Sequence, residues 1–374
     1  MRQYEIDDLV KVAKRENNAK RSYLYVNPLQ GKHIPVSPSL SLELFGRAGK
    51  LVEEKYRGER IFLIGFAETA TAIGASIACC ARNVEYYCNT TRENIKGADY
   101  LLFTESHSHA TEQRLVTNGL EAALSQVDRI VFAEDEVTTG NTILKLINAI
   151  SARYPKMQIR FGIVSLLNSM PESRLWELKM KGIECDYLYK VPSQYRISET
   201  ENYKYKVLRK NYEYRQGLLV RHVDVDGYWN SRIACETAAI KERLNAFTKQ
   251  LLSKPVIDMN SRRILIVGTE EFMFPGMLFG ACLERENEQR KVWFHATTRS
   301  PIEVCDDASY PLHERYPLLS LYDDHRNTFI YNLTKYDQVL IVTDAPQVSG
   351  AGLGSLAGAL LENRNTDVTL IHWG

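Results

Sequence analysis

Residues 130–142 read Ile-Val-Phe-Ala-Glu-Asp-Glu-Val-Thr-Thr-Gly-Asn-Thr, and few architectures accommodate such a stretch. The apolar run from Ile130 to Ala133 has the character of a buried strand, and it delivers two adjacent carboxylates, Glu134 and Asp135, to its tip. Two residues later the hydroxyl-and-glycine loop Thr138, Thr139, Gly140, Asn141 and Thr142 leads into an apolar-periodic helix from Ile143. A helix N-terminus offers unsatisfied N–H groups and the positive end of its dipole, so a phosphate is stabilised there. Carboxylates suit the vicinal hydroxyls of a ribose, and the loop suits its 5-phosphate. The plainer alternative, a strand–loop–helix turn with an N-capping threonine, leaves the acidic pair unexplained.

The surrounding chain alternates strand and helix. Residues 61–64 form a short apolar run that meets Gly65, then Glu68 and Thr69, then a small-residue helix from Ala72 to Ala81. Strand-like runs follow near 84–88 and 99–104, a helix is expected over about 112–125, another over 142–152, and a strand over 159–166. This order predicts an α/β fold with a parallel sheet covered on both faces. Ligands of such sheets sit beyond the carboxyl ends of the strands, where these loops would gather. The pattern lapses between about 192 and 245, a tyrosine-rich segment read as a linker, a lid or a hood, and resumes at Ile264.

The resumed pattern echoes the first. The run from Ile61 to Glu68 pairs with that from Ile264 to Glu271, Thr90-Thr91-Arg92 with Thr297-Thr298-Arg299, and 128–135 with 337–344. Three matches in one order with similar gaps predict a duplicated domain whose second copy has changed. In that copy the acidic pair has become Thr343-Asp344 and the phosphate loop carries Ser349 and Gly350. Losing a carboxylate weakens sugar recognition, while the glycine-rich turn either retains a phosphate seat or serves only as a turn. The expected division is 1–195, a hood or linker over 196–245, and 246–374.

Composition narrows the partners. Of 374 residues 44% are hydrophobic and 25% charged, and 47 Lys and Arg nearly balance 46 Asp and Glu, so no global charge favours nucleic acid or an anionic membrane. No apolar run is long enough to span a bilayer, and the N-terminus lacks the apolar stretch of a signal peptide. Seven cysteines without a Cys-x-x-Cys pair suit reduced thiols and a cytoplasmic address.

The strand, acidic pair, two spacers, Thr-Thr-Gly, small residue and Thr resemble the 5-phosphoribosyl-1-pyrophosphate (PRPP) motif of type I phosphoribosyltransferases. Glu136 departs from it, standing where that family usually has an apolar residue. With the duplicated order and the tetrapeptide Thr298-Arg299-Ser300-Pro301, the whole chain resembles two-domain phosphoribosyltransferases with a C-terminal TRSP domain, which occur in bacterial gene clusters associated with tellurium resistance and stress. The resemblance implies two phosphoribosyltransferase-like, Rossmann-type domains, the second degenerate, and synthesis of a nucleoside-like or phosphoribosylated metabolite.

Phosphoribosyl transfer breaks the bond from C1 to pyrophosphate while a nucleophile, usually a ring nitrogen, attacks C1. Sugar and leaving group must be held rigidly, and the growing negative charge neutralised, generally by Mg²⁺ and a cationic side chain. Glu134 and Asp135 would take the ribose hydroxyls, in part through the metal's waters, and residues 138–142 the 5-phosphate. Gly65, Glu68 and Thr69 occupy the place of the short pyrophosphate loop. Glu68 would bind Mg²⁺ or the incoming substrate, or merely favour the helix start. Arg92 would meet pyrophosphate or substrate, its fixed fork matching phosphate oxygens, and Arg299 repeats it in the second copy beside Ser300. His107 and His109 fall where type I enzymes carry a mobile loop and would act as acid–base groups or cations. The strand end over 164–168 and the tyrosines would hold the acceptor. The expectation is a PRPP-using enzyme with a small-molecule acceptor, a possible homodimer. A non-catalytic sensor of PRPP or a nucleotide is the rival reading.

Overall fold

The computed structural model describes residues 3–16, 21–103, 112–192, 194–207 and 217–374. The chain packs as two units that do not follow chain order: residues 43–193 with 229–244 form the first, and 1–42, 194–228 and 245–374 the second.

The first unit is built on a six-stranded sheet ordered Cys235–Glu236, Val84–Asn89, Ile61–Gly65, Arg129–Val137, Arg160–Asn168, Ile183–Lys190. All neighbours are parallel except the short edge Cys235–Glu236, which runs antiparallel to Tyr86 and Tyr87. Every residue of Ile61–Gly65 is buried, as a central strand covered on both faces requires. The order of strands reverses between Ile61–Gly65 and Arg129–Val137. At such a switch point the connections leave in opposite directions and open a crevice beyond the strand ends.

The second unit repeats this plan. Its sheet is ordered Val220–Asp224, Val368–His372, Gln338–Thr343, Arg263–Gly268, Lys291–Ala296, all parallel. Gly268 pairs with Val342 as Gly65 pairs with Ala133. The amide of Thr90 donates to the Gly65 carbonyl at 2.8 Å, and that of Thr297 to the Gly268 carbonyl at 3.0 Å. Two α/β domains of parallel-sheet type, the second an altered copy of the first, are thus present down to single hydrogen bonds.

Several expectations are refined. The segment around 112–125 is not one helix: Arg114–Val116 pairs antiparallel with Tyr100–Leu102, and only Leu120–Leu124 is helical. Gly119 precedes that helix with φ 75°, a conformation that breaks regular structure. The boundaries at 195 and 246 also differ from the compact units. Ala13, Leu24 and Val26 pack with Ile302, Val304, Tyr310, Leu312 and Tyr331 in one core cluster, so the N-terminal arm belongs to the second unit. Val36 exchanges two backbone hydrogen bonds with Phe294 at the edge of the same sheet. The presumed hood is divided too: Val220–Asp224 is an edge strand of the second sheet, while Trp229 lies 5.9 Å from the Tyr87 ring of the first unit. Finally, Tyr203 and Tyr205 stack edge-on against Tyr310, with centroids 4.9 and 5.7 Å apart. These half-buried tyrosines pack against the core cluster of the second unit.

Candidate active site

The strand Arg129–Val137 continues past Ala133, where the sequence pattern placed its tip. On one side it stays paired with Arg160–Asn168 as far as Val137; on the other its partner leaves at Gly65. Glu134, Asp135 and Glu136 therefore sit on a strand edge whose neighbour has turned away, at the switch point of the sheet. The departing chain is held by three bonds: Phe66 amide to Ala133 carbonyl at 3.0 Å, Ala67 amide to Thr90 Oγ1 at 2.9 Å, and Ala70 amide to Phe66 carbonyl at 2.9 Å. This tight turn carries Thr69 back toward the acids, and its Oγ1 donates to Asp135 Oδ1 at 3.0 Å. Glu68 is buried within the same turn.

Burial first, and then the charge of Asp135, push the Glu134 carboxyl well above its ordinary range. The Asp135 amide donates to Glu134 Oε2 at 3.2 Å. Glu136, the unexpected third acid, accepts from Ser169 Oγ at 3.2 Å. Two adjacent oxygen-donor carboxylates, one of them disfavoured as a bare anion, form a donor set that fits a hard divalent cation. Among the described residues no group of three or more His, Cys, Asp and Glu could hold a metal by side chains alone. A cation here would draw its remaining ligands from substrate and water.

Beyond Val137 the chain turns through Thr138 and Thr139 into Gly140, which has φ 69° and caps the helix Asn141–Arg153. That left-handed conformation favours glycine. It aligns the first amides of the helix toward the loop, where Thr139 and Thr142 are exposed and Thr138 half-buried. One feature of this loop is invisible in the sequence. Arg174, from the helix Glu172–Met180, donates from Nε to the Thr139 carbonyl at 2.9 Å and from Nη2 to Asn141 Oδ1 at 2.8 Å. An arginine on a half-exposed helix gives no sequence signal of its own.

Arg92 is half-buried directly after Thr90 and Thr91, whose backbones fix the strand end. His107 and His109 lie outside the described residues. In the second unit, Arg299 Nε contacts Glu270 Oε2 at 2.5 Å. The Ser300 amide donates to Thr298 Oγ1 at 3.2 Å. Asp344 accepts from Tyr228 Oη at 2.7 Å and Tyr322 Oη at 2.6 Å. Ser349 caps the helix Gly350–Glu362 by accepting from the Gly352 amide at 2.7 Å.

A family model described as phosphoribosyl transferase matches residues 9–191, and one described as TRSP domain C terminus to PRTase_2 matches 232–360. Among solved structures, adenine phosphoribosyltransferase from Rhodothermus marinus DSM 4252 is 12% identical, with 49% of this chain and 94% of that chain covered and a TM-score of 0.34. The Trypanosoma brucei adenine enzyme, in complex with AMP, pyrophosphate and ribose-5-phosphate, is 12% identical over 49% and 77% of the chains at 0.34. A hypoxanthine-guanine phosphoribosyltransferase from Bacillus anthracis str. 'Ames Ancestor' is 15% identical over 42% and 80% at 0.26. No curated protein matches the chain.

Proposed function

Because this chain belongs to the family of two-domain phosphoribosyltransferases with a C-terminal TRSP domain, we propose that its first unit moves a 5-phosphoribosyl group between PRPP and a base-like nitrogen acceptor. The observation that carries this reading is the Thr69–Asp135 contact of 3.0 Å, which joins the turn after Gly65 to the acidic strand at the switch point. A sugar bridging those two elements has its hydroxyls at the acids and its C1 substituent at the turn.

Residues 138–142 receive the 5-phosphate on the helix amides, and Arg174 holds the loop in the receiving conformation. Glu134 and Asp135 take the ribose 2- and 3-hydroxyls. As the C1–O bond lengthens, positive charge grows on the ring, and the nearby carboxylates stabilise it. The leaving pyrophosphate meets the backbone of the turn over 65–70, with Arg92 as the adjacent cation. Glu134 and Asp135 would hold Mg²⁺, which would supply neutralisation of the pyrophosphate charge. The acceptor's ring nitrogen attacks C1 from the opposite side, and its proton passes to solvent or to a neighbouring base. The product is a nucleotide-like metabolite; the resemblance of the chain to TRSP-domain proteins supports a role for it in stress or tellurium resistance.

The test is release of pyrophosphate from PRPP and Mg²⁺ across a panel of purine, pyrimidine and other nitrogen bases. Turnover with at least one base, lost in Asp135→Asn, is the expected result. Binding of PRPP without turnover on any acceptor would favour a sensor instead. Failure to bind PRPP would overturn the reading.

A further inference from the structure

The second unit repeats the turn of the first with one telling substitution. Ala67 amide donates to Thr90 Oγ1 at 2.9 Å, and Glu270 amide donates to Thr297 Oγ1 at 3.0 Å, so Glu270 stands where the first unit has Ala67. A methyl at the mouth of the pyrophosphate turn has become a carboxylate. Glu270 has φ 49°, which a side chain other than glycine's adopts at a cost, and it is 1% exposed. Its carboxylate is caged: Arg299 Nε lies at 2.5 Å, Arg326 Nε at 3.3 Å, and Ser320 Oγ donates to the other oxygen. Beneath it, buried Lys32 donates to the carbonyls of Glu270 at 2.5 Å and Thr297 at 3.0 Å. Arg299 is the counterpart of Arg92, so the cation offered to pyrophosphate in the first unit here grips the chain's own acid.

The rest of that crevice is filled in the same manner. The hairpin Arg315–Leu319 and Asn327–Tyr331 corresponds to Tyr100–Leu102 and Arg114–Val116, but its connection is shorter, 320–326 against 103–113. That connection supplies Ser320 and Arg326 to Glu270, Tyr322 to Asp344, and Asp324 to Ser349 Oγ. At the helix where a 5-phosphate would sit, Ser349 amide donates to the Leu321 carbonyl at 2.9 Å and Gly352 amide to Ser349 Oγ. A Cβ on Gly352 would meet the Ser320 carbonyl at 2.2 Å, so backbone lies directly against the turn of this helix.

We propose that the second unit is a self-occupied copy of the transferase site: Glu270 fills the pyrophosphate place, the 320–326 connection fills the phosphate and sugar places, and the chain binds one PRPP rather than two. This rests on the reading of the first unit's turn as the pyrophosphate site. A buried carboxylate needs cationic partners, and here those partners are the ones a di-anion would otherwise take.

Two measurements on the full chain test it. Calorimetric titration with PRPP and Mg²⁺ is expected to give one equivalent; two equivalents overturn this inference and leave the proposed function standing, whereas none sinks the proposed function while agreeing with a closed second unit. Glu270→Gly relaxes the positive φ and vacates the cage, so inorganic pyrophosphate at about tenfold excess over Kd should raise its melting temperature by roughly 3–5 °C more than the wild type's. Glu270→Gln, whose amide still fills the place, should show no such gain. A Glu270→Gly protein that folds and gains nothing from pyrophosphate overturns the caged-anion assignment. If that variant does not fold, the stoichiometry decides alone.

Discussion

Arg174 Nη2 donates to Asn141 Oδ1 at 2.8 Å and so ties the helix Glu172–Met180 to the first residue of the helix Asn141–Arg153. With its Nε on the Thr139 carbonyl, this arginine braces both sides of Gly140. In the proposed reaction it would act on the loop and not on the reacting atoms. Arg174→Ala should raise the KM for PRPP roughly 3- to 10-fold, about 0.7–1.4 kcal/mol, by releasing a preorganised loop. kcat should change little, since a saturated site still aligns C1. A fall in kcat with unchanged KM, measured by steady-state pyrophosphate release, would instead place Arg174 in the chemistry.

Asp135 is different in kind, because Thr69 of the turn after Gly65 donates directly to its carboxylate. Asp135→Asn keeps the shape but loses the charge that, in the proposed reaction, would oppose the positive ring of the transition state. Loss of a preorganised electrostatic contact of this type lowers kcat by about 10²- to 10³-fold. Thr69→Val removes only the hydroxyl that orients the acid and should cost roughly tenfold. Both variants should melt within a few degrees of the wild type, and a collapse in thermal stability would mean that the lost activity reflects unfolding.

Glu134 sets a dependence on pH. Its carboxyl is raised by burial and by Asp135, so the folded protein binds this proton more tightly than the unfolded chain does. The associated stability is full below the unfolded value, near 4.5, and is lost as pH climbs toward the raised folded value. The ligand-free wild type should therefore melt progressively lower between pH 5 and pH 8. Glu134→Gln should flatten part of that decline, gaining about 2–4 °C for each kcal/mol of relief at the upper end, while losing activity. Identical pH–melting curves for the two proteins would show that Glu134 carries no such burden.

Parts of the molecule are legible in the sequence because they depend on local chemistry. The strand through Ile130 and Ala133 needs apolar residues on both faces, and a left-handed turn at position 140 favours glycine, so both leave a mark. The duplication shows because Gly65 and Gly268, and Thr90 and Thr297, make the same backbone and hydroxyl contacts in each unit. What was not legible comes from distant segments meeting. Ser320 and Arg326 reach Glu270 from fifty or more residues away, and Lys32 from 238. Nothing in the local pattern around Glu270 distinguishes a caged carboxylate from one that binds a ligand. The hairpin strand Arg114–Val116 is only three residues long and yields no measurable period, so it merged with the short helix after it.

The interleaving of the units carries the last prediction. A cut near 195 or 246, as the chain order suggests, separates partners that share a core. Residues 1–42 contribute Ala13, Leu24 and Val26 to the cluster with Ile302, Val304, Tyr310 and Tyr331, and the buried Lys32 to the turn at Glu270. Losing Leu24 and Val26 costs about 1.5–3 kcal/mol each, and the Ala13 methyl about 0.8 kcal/mol, before the exposed sheet edge at Phe294 is counted. The sum approaches the whole stability of a typical domain. A fragment spanning 246–374 should therefore be insoluble or lack a cooperative melt. Residues 43–193 in turn lose the edge strand Cys235–Glu236 and the ring of Trp229 against Tyr87. Mixing separately expressed 1–42 with 194–374 should restore part of the melting transition. If 246–374 alone unfolds cooperatively with the full chain's transition temperature, the N-terminal arm is dispensable and the shared core is not what holds this unit together.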